Sequence, residues 1–169
     1  MHLPLALRFS VFAISFAAMI GQVPKEQPSA GCPAQPNTLR AMRDCYRALL
    51  VFAPALDTPQ LVQQFNELKA HASELKTRSV LYVPIVPEGH NQPIPGSKVP
   101  TCRLSEDELA AMRHRFKVEQ PDFLVILIGK DGGEKLNSRT PVPVDQLEQL
   151  IDSMPMRKGE MQQGPQGEE

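Results

Sequence analysis

Three cysteines and one helix start are the places where this sequence could carry chemistry. Cys32, Cys45 and Cys102 contain no Cys-x-x-Cys pair, and His71, His90 and His114 fall on separate segments. Neither dithiol exchange nor a zinc site has the ligand spacing it needs. An odd count leaves one bridge plus a spare thiol, or no bridge at all. Cys45 stands just ahead of an apolar run, and Cys102 just ahead of a helix start, where backbone N–H groups and the helix dipole lower a thiol pKa. These two are the candidate catalytic sulfurs. The alternative is a structural Cys45–Cys102 bridge that staples the proline-rich loop between them. The helix start is Asp57-Thr58-Pro59-Gln60, where Asp57 or Thr58 suits an N-cap and Pro59 suits the first helical position.

The elements that must hold these residues follow from periodicity. Asn37–Asp44 suits a short helix. Arg47–Pro54, RALLVFAP, holds a continuous apolar run from Ala48 to Ala53, as in a central strand buried on both faces. From Thr58 to Leu75, Leu61, Val62, Phe65, Leu68, Ala72 and Leu75 recur at the helical period, with Gln63, Gln64, Glu67 and Lys69 on the other side. Ser79–Val86 reads as a strand, and Pro84 within it demotes it to an edge. Pro87–Thr101 is a long loop. Leu104–Val118 is a helix with Ser105 and Glu108 at capping-box spacing and Leu104 positioned to staple onto Leu109. Phe123–Ile128 is a third strand, Lys130-Asp131-Gly132-Gly133 a turn, and Glu134–Asn137 a short fourth strand. Val144–Met154 is a last helix, ended or kinked by Pro155. Arg157, Lys158 and Glu160 follow it, where cations complement its C-terminal dipole. A polar tail, expected to be disordered, runs from 159 to 169.

Composition restricts the classes of function. The 169 residues are 41% hydrophobic, enough for one self-sufficient core, and the net charge is -1 with 18 basic and 19 acidic residues and no basic block. That excludes an electrostatic footprint for nucleic acid or for an anionic membrane surface. The N-terminus has a secretory pattern: a start made weakly basic by Arg8, the apolar run Phe9–Ile20, then a polar shift at Gly21. Residues 1–21 are therefore expected to be a signal peptide or, if uncleaved, an anchor, and 22–37 a flexible spacer. Ser29-Ala30-Gly31-Cys32 lacks the leucine of a lipoprotein attachment sequence. The expected location is secreted or periplasmic.

Strand, helix, strand, helix, strand, turn, strand, helix is the order of the thioredoxin fold: an α/β three-layer sandwich with a four-stranded mixed sheet, order 4-3-1-2, and helices on both faces. Its edge strand coincides with Pro84 and its two central strands with the most apolar runs. Within that class RALLVFAP, IGKDGGEKL (Ile128–Leu136) and LIDSMPMRKGEM (Leu150–Met161) resemble a domain of unknown function. That domain occurs in secreted bacterial proteins and in vertebrate extracellular-matrix proteins with sushi repeats. It is described as peroxiredoxin-like. The resemblance spans roughly Leu39 to Met161 and implies this fold over residues 38–158 together with secretion, but no established activity.

In the thioredoxin frame, Asp57-Thr58-Pro59-Gln60 occupies the place of Cys-x-Pro-Cys: the proline is kept and both sulfurs are gone. Pro121 precedes the third strand near where such folds hold a cis-proline. Asp57, Thr58, Pro59 and Pro121 are accordingly the candidate binding surface for an extended peptide or protein. Two readings stand. The first is an exported, non-enzymatic binding module of the cell envelope with no cofactor or metal. The second is a thiol oxidoreductase or peroxidase using Cys102 or Cys45.

Overall fold

A computed structural model describes residues 31–87, 96–118 and 122–163. The expected signal peptide 1–21, most of the spacer 22–37, His90, Pro121 and the end of the tail lie outside the described residues.

The elements are α1 (Leu39–Met42), β1 (Arg47–Phe52), α2 (Pro59–Ala70), α3 (Ala72–Thr77), β2 (Val80–Ile85), α4 (Glu106–Phe116), β3 (Leu124–Ile128), β4 (Glu134–Ser138), α5 (Val144–Ser153) and α6 (Pro155–Gln163). The sheet order is β2-β1-β3-β4, as expected. β1 runs parallel to β2 and antiparallel to β3, and β3 is antiparallel to β4. All residues of β1, β2 and β3 are buried. Strands covered on both faces read as nearly continuous apolar runs, here with Arg47 as the charged exception at the head of β1, and the alternation shows in which layer each side chain enters. Leu49 and Val51 pack with Leu61, Leu68, Leu75, Leu147 and Ile151 from α2, α3 and α5. Ala48, Leu50 and Phe52 pack with Met42, Leu109 and Met112 from α1 and α4.

β2 is the edge strand, and Pro84 pairs across to Val51 within it. Its outer side is partly covered: the Tyr82 N–H donates to Pro100 O at 2.8 Å, and Thr101 makes a lone parallel bridge with Tyr82.

Four local expectations are corrected. The helix from Thr58 to Leu75 divides at His71 into α2 and α3, and nothing in the residues of the junction explains the break. On α2, Gln64 rather than Val62 faces inward. Gln64 is fully buried because its amide donates to Val142 O at 3.0 Å and accepts from Val142 N at 2.7 Å, pinning the chain ahead of α5. The capping box at α4 is half formed: Ser105 Oγ accepts from Glu108 N at 3.3 Å. Glu108 Oε1 instead accepts from Leu39 N at 3.0 Å, while Asn37 O takes the Ser105 N–H, so α4 helps to hold the start of α1. Finally, the tail expected to be disordered from 159 onward is helical as far as Gln163, as part of a helix that begins at Pro155. Met154 is extended (ψ 141), as the residue before a proline prefers, and α6 starts again beyond it.

Candidate functional site

The chain that leaves the C-terminal end of β1 passes through Ala53–Thr58 into α2. Thr58 occupies the N-cap position, but its hydroxyl folds back on Ala55, accepting from Ala55 N at 3.1 Å and donating to Ala55 O at 2.7 Å. α2 therefore starts on Pro59 with no side-chain cap, which corrects the expected capping role of Asp57 and Thr58. Asp57 and Pro59 are exposed. Leu56 and Val62, large apolar side chains, are 52% and 44% exposed on either side of them. Asp57, Thr58 and Pro59 are thus brought together at one end of the sheet, with an apolar margin.

The sulfurs lie elsewhere. Cys45 is bridged to Cys32, with Cα atoms 5.4 Å apart, so of the pairings left open the bridge is not the Cys45–Cys102 staple but one that closes a short N-terminal loop. Tyr46 donates its hydroxyl to Pro33 O at 3.0 Å beside that bridge. Cys102 is a free thiol buried in the α1/α4 layer among Leu104, Leu109 and the sheet. Burial pushes its pKa up to about 12, so it stays a neutral thiol at ordinary pH. The nearby helix start does not offset this, because desolvation dominates.

A denser constellation stands at the opposite end of the sheet, where β1 begins and β3 ends. Arg47, the first residue of β1, is 1% exposed. Its Nη1 donates to Arg78 O at 2.7 Å and to Glu160 Oε2 at 3.3 Å, and its Nη2 donates to Glu160 Oε1 at 3.1 Å. Lys130, in the β3–β4 turn, places Nζ 2.9 Å from the same Oε1. Arg157 reaches Glu160 Oε2 at 3.4 Å, Asp152 Oδ1 at 3.2 Å and Thr77 O at 3.0 Å. Arg78 makes a two-pronged pair with Asp152 at 3.1 and 2.7 Å and also approaches Glu148 at 3.4 Å. Burial would raise the Glu160 pKa, but hydrogen bonds from Arg47 and Lys130, with their charges, outweigh it and hold the carboxyl below its usual range. Asp152 is lowered likewise, first by its Arg78 hydrogen bond.

Local geometry in the β3–β4 turn serves this end. Gly132 has φ 77, so the backbone favours glycine, and a Cβ there would lie 2.6 Å from Arg43 Nε and push that guanidinium aside. Asp131 accepts from Gly133 N at 3.0 Å and pairs with Lys135 at 2.6 Å. Lys130 O accepts from Asp44 N at 2.8 Å, tying the turn to the α1–β1 junction. The turn reading of Lys130 and Asp131 describes the backbone but misses the Lys130 ion pair. Arg157 and Glu160 are not loose dipole partners but parts of α6. The sequence signal was Arg47 itself: a charge that opens a wholly buried strand must find a partner.

A family model described as "Domain of unknown function (DUF4174)" matches residues 38–160. No curated protein matches the sequence. Among solved structures, a thioredoxin peroxidase I of Plasmodium yoelii is similar at TM-score 0.51 and 17% identity, covering 72% of this chain and 79% of that one. A reduced 2-Cys peroxiredoxin of Plasmodium vivax is similar at TM-score 0.51 and 16% identity, covering 73% and 84%. At such identities the likeness is one of fold.

Proposed function

The chain belongs to the DUF4174 family, and from that premise we propose that it is an exported thioredoxin-fold module that binds a partner rather than exchanging thiols. The observation that carries this reading is the placement of sulfur. No cysteine stands at the start of α2, two are joined to each other, and the third is a buried neutral thiol. A thiolate nucleophile needs exposure and a lowered pKa, and Cys102 has neither. Export rests on the three-part pattern of residues 1–21 and agrees with a disulfide, which persists in oxidising compartments. Kinship with the matrix proteins that carry sushi repeats belongs to the same proposal.

The binding surface in this reading is the start of α2, where Asp57, Thr58 and Pro59 are framed by exposed Leu56 and Val62; an extended peptide or protein segment suits a shallow apolar margin of that kind. The test is turnover of insulin disulfides and of hydrogen peroxide by the oxidised and reduced protein. We expect none above the rate of a Cys102→Ser variant. Turnover that the Cys102→Ser or Cys45→Ser change abolishes would replace this reading with a thiol oxidoreductase or peroxidase.

A further inference from the structure

The ion cluster beneath α6 is asymmetric in charge and in depth. Arg47, Arg78, Lys130 and Arg157 face Glu148, Asp152 and Glu160, four cations to three carboxylates. The cations are 1–15% exposed, whereas the carboxylates are 24–32% exposed. Arg47 and Lys130 belong to the sheet and its turn, so the cationic floor is built without α6. Arg47 Nε is buried and has no partner. Among the described residues Glu160 alone meets both floor cations, and Arg47 grips it with two nitrogens, the fork geometry by which guanidinium recognises a carboxylate.

The helix that delivers Glu160 is held in an unusual way. None of its described side chains is buried, and Met156 and Met161 face solvent. Beyond α5 it is tied by polar bonds, Glu160 to Arg47 and Lys130 and Arg157 to Thr77 O. Attachment by ion pairs is weakened by salt and by competing ions in a way that apolar burial is not.

We propose that Arg47 and Lys130 form a carboxylate-binding site, that Glu160 is its internal occupant, and that a carboxylate of an acidic partner peptide takes its place when α6 lifts. The site lies at the end of the sheet opposite α2 and stands independently of the binding surface there. An acidic segment is the fitting occupant because the floor keeps two cations once Glu160 leaves. α6 is then an autoinhibitory strap over that floor.

Citrate is a suitable probe, as a small multivalent carboxylate. In calorimetric titration of the full chain at low ionic strength, Glu160→Gln should bind citrate about tenfold more tightly than wild type, the worth of one charge-assisted hydrogen bond. Adding Lys130→Gln should remove that gain. Equal affinity in wild type and Glu160→Gln, or a gain that survives Lys130→Gln, overturns the proposal. A second measurement needs no variant. In the wild type, citrate should speed amide hydrogen exchange over 155–163 more than sodium chloride of equal ionic strength does. Equal exchange in the two salts overturns the proposal even if Glu160→Gln fails to fold.

Discussion

The two ends of the sheet differ in where their polar groups sit. At the end where α2 starts, the polar side chains are exposed and bonded locally, as Thr58 is to Ala55, and the large apolar side chains Leu56 and Val62 face solvent. At the other end, a guanidinium is buried at the head of a central strand and joins β1, the β3–β4 turn, α3 and α6 through one carboxylate cluster. The first end is chemically sparse but open, and the second is rich but closed. Inherited fold geometry thus does not fix where a chain keeps its charged groups.

The comparison breaks most visibly at Arg47. Arg47→Ala should lower unfolding free energy by about 3 kcal/mol or more, since it leaves Glu160 and Lys130 without their arrangement and opens a buried void; a denaturant midpoint equal to wild type would show that the cluster is only ornament on the fold. Reducing the bridge, or Cys32→Ser with Cys45→Ser, should cost about 3 kcal/mol, as expected for a loop of this length, read from the same denaturation curves. Gly132→Ala should cost about 1–2 kcal/mol through its positive φ, with the thermal midpoint as the check. Acid sharpens the contrast further. Glu160 and Asp152 have folded-state pKa values below their ordinary ones. Their contribution is therefore complete above the unfolded values, near about 4, and is lost as pH falls through the lower folded values. The denaturant midpoint should fall from pH 6 to pH 3, less steeply in Asp152→Asn. At the open end, Asp57→Ala should change stability by no more than about 0.5 kcal/mol, since an exposed residue outside any cap or pair costs little to truncate.

The fold was legible because its determinants are local. Buried strands are continuous apolar runs, Ser105 marks a helix start, and Pro84 marks an edge. The failures are those of long-range partners. Gln64 reads as a solvent-facing residue on α2 until Val142, remote in sequence, supplies both of its hydrogen bonds. Glu108 reads as a reciprocal cap until Leu39 offers its own N–H and Asn37 O takes that of Ser105. Arg157 and Lys158 read as dipole partners of the preceding helix, and Gly159 and Glu160 as the start of a tail, because Glu160 finds its partners in Arg47 and Lys130, residues no window of sequence could contain with it. Of the candidate site, Asp57, Thr58 and Pro59 are neighbours in sequence and stand together by chain connectivity alone, while Pro121, which was to face them, lies outside the described residues. The partner of Cys45 was not foreseen, because spacing alone ranks no connectivity among three cysteines.

The edge at β2 has a consequence for self-association. Tyr82 sends its N–H outward to Pro100, so two residues further along the outward position falls on Pro84, which has no N–H to offer. One donor along that border is occupied and the next is missing, which denies an incoming strand the regular ladder it needs. The molecule is thereby guarded on this side against edge-to-edge fibre growth, and a partner that recognises it by strand addition must approach from the β4 side instead.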